Sequence, residues 1–448
     1  MLSPEQAQAR CQALVERARA AGADAADALY AADASQSVQV RLGKLEDIER
    51  SESEHASLRV FVGRGTASIG SSDLSDTALG ELATRAVAMA RAAPEDKFAG
   101  LAPEDMLLRS APPQLDLSDP REVSPAELRA RAETAEDAAR SVAGVTNSEG
   151  GSASVGAAVV ALATSAGFCG GYASSSHSLS ASVIAGEGAE MQRDYAWRVA
   201  RHAEGLPGPQ EIGALAGQRA VSRLNPQPMT SGPRSVVFSP RVGGSLAGHL
   251  LGAINGAAIA RKASFLLGRE GQQVFAKGIT IRDDPHRARG LRSRPFDGEG
   301  LPTDRRALVE DGRLTGWLMD SASARQLGLA PTGHASRGHG GSPGVSASNV
   351  WIEAGTVSVA DLIGDIADGV YVTELIGQGV NGVTGDYSRG ASGVAIVNGE
   401  FAGPVAGITI AGNLLEMFAN LRAADDLEIY RGIDAPTLRV DGMTVAGE

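Results

Sequence analysis

Cysteine is nearly absent from this chain of 448 residues. Only Cys11 and Cys169 occur, and two cysteines cannot build a disulfide framework. Their scarcity indicates a reducing compartment. Aromatic residues make up 4% of the chain, so its core has to be built from Val, Leu, Ile and Ala. The N-terminus lacks the apolar segment of a secretory signal, which together with the cysteine usage predicts a cytoplasmic protein.

Clusters of positive charge are also missing. The formal net charge is -12, and basic residues form no run longer than a short pair or triplet. Nucleic acids and anionic membranes reward clustered Lys and Arg, so neither is expected as a partner. Residues 242–260 carry no charge and approach the length of a membrane span. Because they are rich in Gly and Ala rather than in Leu and Ile, they predict a buried helix instead.

The length of the chain predicts two domains. Three prolines and a Ser-Gly pair within residues 224–234 mark the predicted boundary, which separates residues 1–225 from residues 226–448. In the first domain, helical signatures alternate with strands and end in a β-meander. The second domain is predicted to be mainly antiparallel β-structure with packed helices. The predicted fold class is therefore α+β.

Three dipeptides in the second domain predict hairpin turns. An Asp-Gly pair at 311–312, an Asn-Gly pair at 398–399 and an Asp-Gly pair at 441–442 each lie between apolar segments. Both central residues of a type I′ turn need a positive φ, which Asn, Asp and Gly tolerate best. We therefore expect a two-residue hairpin at each dipeptide.

Candidate catalytic groups are few. The chain has no G-x-G-x-x-G after a strand, no Walker segment, no C-x-x-C and no His-Glu-x-x-His. His249 stands alone on the apolar helix, which is more typical of a hydrogen-bonded core or interface residue than of a catalyst. His334 and His339 lie in a Gly-rich loop and could ligate a metal. A flexible surface loop without a metal is the commoner case.

Four carboxylates lie within a short stretch of the second domain. They belong to Asp283, Asp284, Asp297 and Glu299, and their oxygens would suit a magnesium or calcium ion. Acids in such turn-rich sequence are more often solvated, and we expect that arrangement here.

Several long segments resemble the TldD/PmbA family, and specifically its PmbA branch, also called TldE. The resemblance covers nearly the whole chain and is most specific over residues 321–335 and 373–393. It also includes the segments RKASFLLG, PFDGEG and ITIAGNLLEMF, at residues 261–268, 295–300 and 408–418. This resemblance implies a cytoplasmic peptidase of two subunits that cleaves unfolded peptides, including microcin precursors and antitoxins.

The resemblance also implies where a metal would be bound. In this family the TldD subunit carries zinc on a helix with the motif His-Glu-x-x-x-His and through a later cysteine, and the PmbA branch lacks these groups. Counting back from Ser264 without gaps, the histidine positions fall on Gly248 and Ala253, and the glutamate position falls on His249. Glycine and alanine have no donor atoms for a metal. The chain is thus expected to hold no metal or other cofactor, with zinc in the TldD-like partner.

The resulting prediction is the non-catalytic subunit of a TldD/TldE peptidase, with a TldD-like partner and an unfolded peptide as substrate. A homodimer is the alternative state when that partner is missing. The side chains expected to line the substrate groove are His249, Asp297, Glu299, Tyr387 and Ser388. Two other functions stay open. One is a peptidase active by itself, with a metal held by His249, His334 and His339. The other is a non-enzymatic peptide-binding protein that acts on gyrase or on a toxin system.

Overall fold

The first part of the chain is built on one antiparallel sheet. Its strands are β1 (Ala25–Arg41), β2 (Lys44–Val62), β3 (Gly65–Ser71), β4 (Val145–Thr164), β5 (Cys169–Ala185) and β6 (Gln192–Ala200). The computed structural model describes residues 1–338 and 342–447, and within them these strands lie in the order β3-β2-β1-β4-β5-β6. The long antiparallel pairs of β4, β5 and β6 confirm the meander that the sequence predicts.

Helices cover one face of this sheet. They are α1 (Pro4–Ala20), α2 (Asp76–Ala92), α3 (Pro125–Arg140) and α4 (Pro209–Val221). Helix α1 begins with a capping box, in which the Ser3 hydroxyl accepts from Gln6 N and the Gln6 side chain accepts from Ser3 N. Helices α1 and α2 pack at one end of the strands, and α3 and α4 pack at the other end.

The opposite face of the first sheet contacts the second part of the chain. In β1, Ala28 and Tyr30 belong to the core beneath the helices, whereas Leu29 belongs to a different cluster that includes Phe296. Successive side chains of a strand point to opposite faces. Asp27 therefore shares the face of Leu29 and points towards the second part of the chain.

The second part contains a larger set of shorter elements. Its strands are β7 (Gly232–Phe238), β8 (Ile281–Asp284), β9 (Arg306–Glu310), β10 (Arg313–Leu314), β11 (Ala335–Ser336), β12 (Gly344–Val345), β13 (Asn349–Ile352), β14 (Asp368–Ile376), β15 (Asp386–Val397), β16 (Glu400–Asn413), β17 (Arg422–Ala423), β18 (Ile433–Asp434) and β19 (Leu438–Ala446). Its helices are α5 (Pro240–Ala253), α6 (Gly256–Ala260), α7 (Ser321–Leu327), α8 (Val359–Ile363) and α9 (Leu414–Ala419). The position of the boundary at residues 225 and 226 stays a prediction.

The main sheet of the second part closes into a barrel. Within the described ranges, neighbouring strands follow the order β16-β15-β14-β7-β19, and β19 pairs again with β16 through Ile410 and Val445. The pairs β7–β14 and β13–β18 are parallel, and the other ladders of this part are antiparallel, as predicted. A smaller sheet has the order β10-β9-β8-β13-β18. Helix α5 packs against β14, β7 and β18.

A buried ion cluster joins the two parts of the chain. The carboxylate of Asp27 contacts Nη2 of Arg59 and Nη1 of Arg337, and Arg59 Nε donates to Asp27 Oδ2 at 2.9 Å. Arg59 Nη2 also lies 3.6 Å from Glu299 Oε1. All four side chains are buried away from water, so each charge is neutralised by the opposite charges within the cluster.

Two of the three predicted hairpin turns are confirmed. Asp311 and Gly312 have φ angles of 46° and 77°, and the Asn-Gly pair at 398–399 has φ angles of 50° and 81°. The prediction at 441–442 is wrong, because β19 runs through this dipeptide as one strand. Val440 and Met443 both pair with β7, and the residues between them form a β-bulge.

The apolar segment 242–260 is also not one helix. Helix α5 ends at Ala253, and Asn255 caps α6 by accepting from Ala257 N at 3.0 Å. The break arises because residues 254–256 pair with Leu318, which accepts from Gly256 N at 2.7 Å. Across residues 1–338 and 342–447, no helix combines the length and apolar character needed to cross a membrane.

Candidate functional site

Helix α5 starts in the cleft between the two parts of the chain and follows directly from β7. Ser239 N donates to Val372 O at 3.0 Å and thereby holds the start of the helix beside β14. Gly244 allows a close approach to the neighbouring segment, since a Cβ atom there would lie 2.8 Å from Ile433 O. The small residues of α5 therefore let the helix pack tightly against backbone.

One histidine and one tyrosine meet beside the middle of α5. The rings of His249 and Tyr387 lie 5.9 Å apart with an interplanar angle of 78°. His249 Nε2 and the Tyr387 hydroxyl are buried, and neither has a hydrogen-bond partner among the described residues. Burial lowers the pKa of His249, and Arg389 adds to the effect, while burial raises the pKa of Tyr387. Both side chains are therefore neutral near pH 7.

The residues around this pair do not fit a zinc ion. A Cβ atom at Gly248 would meet nothing within 4 Å, whereas Ala253 is buried in the core. In the part of the chain that the structure describes, no group of three or more His, Cys, Asp or Glu side chains could hold a metal ion. His249 alone cannot supply the three protein ligands of a catalytic zinc site.

His334 is a structural residue in this fold. Its Nε2 atom lies 2.9 Å from Asp283 Oδ2, and its Nδ1 atom lies 2.9 Å from Thr332 Oγ1. The prediction of a flexible surface loop is wrong for His334, which is buried. Both of its ring nitrogens are engaged, so neither is available to a metal shared with His249. His339 lies outside the described residues.

Asp297 and Glu299 bind backbone groups rather than the histidine–tyrosine pair. Asp297 accepts from the backbone N–H groups of Glu299, Leu301 and Ala335, at 2.8, 2.9 and 3.1 Å. Glu299 accepts from Ser321 N at 2.8 Å. The prediction of solvated acids is wrong for both, because the fold buries them against these donors.

The acids at residues 283 and 284 and the serine after Tyr387 have different environments. Asp283 is also buried, against His334 and Ser348, and Asp284 is half-buried. Ser388 is exposed, on the opposite side of β15 from Tyr387. Of the five predicted groove residues, the structure thus brings His249 and Tyr387 into contact.

Asp297 gives a testable pH dependence of stability. Burial, with Glu299 adding to it, raises the pKa of Asp297 from 3.8 to about 7. A raised pKa means that the folded state holds the proton of Asp297 more tightly than the unfolded chain does, which stabilises the fold. This contribution to the free energy of unfolding is complete below pH 3.8 and is lost as the pH rises to about 7. Between about pH 5 and about pH 7, the free energy of unfolding of the wild type is expected to fall. In Asp297→Asn, which has no carboxyl at this position, the fall is expected to be smaller by about 1 kcal/mol or more.

The comparison with the variant is needed because histidines act in the opposite direction. Burial lowers the pKa values of His177, His249 and His334, so their contribution to stability is lost as the pH falls below about 6.5. This contribution is common to both proteins and cancels in the difference. Denaturant unfolding of the wild type and of Asp297→Asn at several pH values measures this difference. If the stability of both proteins changed equally with pH, the raised pKa of Asp297 would be contradicted.

An arginine-lined cleft beside the start of α5 was not predicted from the sequence. The cleft has a volume of about 450 Å³ and lies between β6, α4 and the β7–α5 junction. Its charged side chains are Arg198, Arg219, Arg223, Arg241, Asp194, Asp426 and Glu428. They come from β6, from α4 and the turn that follows it, from α5 and from a C-terminal loop. The four-residue spacings of Asp194 to Arg198 and of Arg219 to Arg223 are visible in the sequence, but they do not reveal that these segments meet.

Three family models match consecutive segments of the chain. Models of the PmbA/TldA metallopeptidase match it as domain 1 over residues 26–90, as the central domain over residues 118–224 and as the C-terminal domain over residues 231–447. The metalloprotease PmbA of Escherichia coli O157:H7 is 40% identical over 417 residues, which is 92% of this chain and 90% of that protein. A PmbA homolog of Haemophilus influenzae is 36% identical, with 97% and 94% covered.

Solved structures share the fold over nearly the whole chain. A putative modulator of DNA gyrase from Bacteroides thetaiotaomicron has a TM-score of 0.92 at 25% identity, with both chains covered completely. TldE from Thermococcus kodakarensis has a TM-score of 0.86 at 21% identity, with 97% of this chain and 99% of that chain covered. From the matching family models and the extent of identity, the chain belongs to the PmbA/TldD metallopeptidase family, in its PmbA (TldE) branch.

Proposed function

We propose that this chain is the non-catalytic subunit of a cytoplasmic TldD/TldE-type peptidase that cleaves unfolded peptides. The observation that carries the proposal is the composition of α5 and its surroundings. There, one neutral histidine faces a buried tyrosine, and the residues that the structure describes provide no ligand set that would activate water on a metal. In this proposal zinc belongs to a TldD-like partner, and the second domain of this chain forms half of the interface and one wall of the substrate chamber.

An exposed apolar surface near this helix supports a subunit interface. Leu267, Ile376 and Val383 are large apolar side chains with 45%, 57% and 55% of their surface exposed. A hydrogen bond of 3.0 Å from Phe265 N to Gly382 O joins the segments of Leu267 and Val383, and Ile376 ends β14 shortly before Val383 in the chain. Apolar side chains grouped in this way on a surface are typical of protein–protein contacts. We therefore place the partner on the surface formed by these three residues.

Sheet edges support binding of an extended peptide. The barrel closes through β16 and β19, whereas β6 forms an edge of the first sheet and borders the arginine-lined cleft. A peptide that adds as a strand to such an edge is held through its backbone, which gives little sequence selectivity. This mode of binding suits a peptidase that acts on unfolded chains.

The proposal predicts a large difference between the separate subunits and their mixture. We expect the isolated chain to contain substoichiometric zinc and to cleave no unfolded peptide, and His249→Ala to leave its metal content unchanged. A TldD-like subunit is first identified by co-purification with this chain, and the two are then assayed separately and mixed. Adding the chain to that subunit is expected to raise peptide cleavage at least about tenfold, since a chamber wall orients the substrate. Metal analysis and a cleavage assay of each component and of the mixture measure these outcomes.

Two variants separate the interface from general damage. Val383→Asp places a charge in the proposed interface and is expected to abolish the stimulation, because a desolvated, unpaired charge is costly. Ile48→Asp changes a similarly exposed apolar residue on β2, with 49% of its surface exposed, and is expected to leave the stimulation intact. Stoichiometric zinc together with cleavage by the isolated chain would favour a self-sufficient peptidase. Unchanged cleavage by the partner would favour a non-enzymatic peptide-binding protein.

A further inference from the structure

The arginine-lined cleft contains an unused hydrogen-bonding group at the start of α5. Ser239 occupies the N-cap position, is 5% exposed and lines the cleft. Its hydroxyl makes no cap hydrogen bond and has no partner among the described residues. Most buried hydroxyls are hydrogen-bonded, so a group left open beside a helix N-terminus indicates a ligand that completes it. The partial positive charge of a helix N-terminus favours an anionic ligand.

Arg219 provides a cation that faces the same cleft. Arg241 lies 2.6 Å from Asp194, and Arg223 lies 2.6 Å from Glu374, so both are paired with carboxylates. Arg219 instead donates to a backbone carbonyl, Tyr195 O, at 3.1 Å, and no carboxylate oxygen of the described residues lies within 4.0 Å of its nitrogens. The guanidinium therefore retains donors for a further acceptor.

The electrostatic environment of Arg219 is consistent with an anion in the cleft. Burial lowers the pKa of Arg219 and the charge of Arg241 adds to the effect, while Asp194 acts against it without cancelling it. A negative group between these cations would offset both the burial and the repulsion. Arginine presents planar pairs of donors that match the oxygens of carboxylate and phosphate groups.

We propose that this cleft is an oxyanion-binding site, in which Arg219, the Ser239 hydroxyl and the N-terminus of α5 hold a carboxylate or phosphate group. Its volume of about 450 Å³ exceeds the needs of a bare anion and falls in the range of small-molecule sites. The cleft therefore has room for the terminal residue of a peptide with its free carboxylate. The peptide as the source of the anion rests on the proposed function, whereas the oxyanion site itself does not.

Calorimetric titration of the full chain tests the site with two kinds of ligand. One arm uses inorganic phosphate, and the other uses a short peptide with a free C-terminal carboxylate beside the same peptide as its C-terminal amide. We expect the acid peptide to bind more tightly than the amide. Binding of phosphate alone would retain the site and assign it to a free anion.

Three variants decide which residues hold the anion. Arg219→Gln is expected to weaken binding about tenfold or more, because it removes a charged hydrogen-bond donor. Ser239→Ala is expected to weaken binding by a smaller factor without harming the fold, since its hydroxyl makes no hydrogen bond in the folded chain. Arg193→Gln, on the same strand as Tyr195 but outside the cleft, is the matched control and is expected to bind like the wild type.

The outcomes separate this site from the subunit function. Binding of neither phosphate nor the acid peptide would overturn the proposal, and so would binding that Ser239→Ala and Arg219→Gln leave unchanged. If Arg219→Gln fails to fold, the Ser239→Ala titration decides alone. Stimulation of a TldD-like partner without any anion binding would reject the site while leaving the proposed function intact.

Discussion

Replacing Asp27 by asparagine is expected to lower the free energy of unfolding by about 3–5 kcal/mol. The substitution keeps the shape of the side chain but removes the negative charge between Arg59 and Arg337. Burial alone would raise the pKa of Asp27, yet the two arginines outweigh it and hold the pKa below its usual value. The aspartate is therefore ionised at neutral pH, and its loss leaves two buried guanidinium groups without their main counterion.

Unfolding by the denaturant guanidinium chloride measures the loss of stability in Asp27→Asn, and Asp76→Asn is the matched control. Asp76 pairs with Arg17 at 2.6 Å on the surface, where water already solvates both charges. We expect a much smaller change for the control. Because Asp27 and Arg337 belong to different parts of the chain, the variant should also make the contact between those parts more accessible to protease. Equal stabilities of the two variants would show that the buried cluster does not stabilise the fold.

Gly393→Ala is expected to destabilise the barrel by about 3 kcal/mol. A Cβ atom at this position of β15 would overlap the carbonyl oxygen of Tyr371 and would lie 2.8 Å from its carbonyl carbon. The obstacle is backbone of the paired strand β14, which cannot rotate away as a side chain could. The strands would have to separate at the centre of the barrel.

Gly403→Ala provides the control for this prediction. Gly403 lies on the adjacent strand β16, and a Cβ atom there would meet nothing within 4 Å. Its replacement is expected to change stability by no more than about 1 kcal/mol, since it only restricts the unfolded chain. Thermal unfolding of the two variants distinguishes them, and a Gly393→Ala protein as stable as Gly403→Ala would contradict the close approach of β14 and β15.

Local signals predicted local structure well. The Asn-Gly pair at 398–399 specifies its turn because both residues tolerate a positive φ, and the Ser3 capping box depends on residues three positions apart. The Asp-Gly pair at 441–442 carries the same signal but lies in a strand whose partner, β7, is about two hundred residues earlier. Pairing with that distant strand decided its conformation, and the sequence pattern does not contain this information.

The candidate site shows the same limit. His249 and Tyr387 could be selected as groove residues from segments that resemble the family, but the sequence did not show that their rings meet. The burial of Asp283 and Asp297 could not be predicted, since their partners include His334 and Ala335, far along the chain. The arginine-lined cleft was missed for the same reason. Its residues are ordinary surface types until the fold brings them together.

The closure of the barrel by β19 also constrains how the protein is made. The strand order requires Leu438–Ala446 to insert between β7 and β16, so the ring cannot be completed before this segment has left the ribosome. The first sheet, by contrast, is assembled from residues 25–200 and can form during translation. During synthesis, the nascent second half therefore has unpaired strands and exposed apolar surface, and we expect it to be most prone to aggregation in this interval.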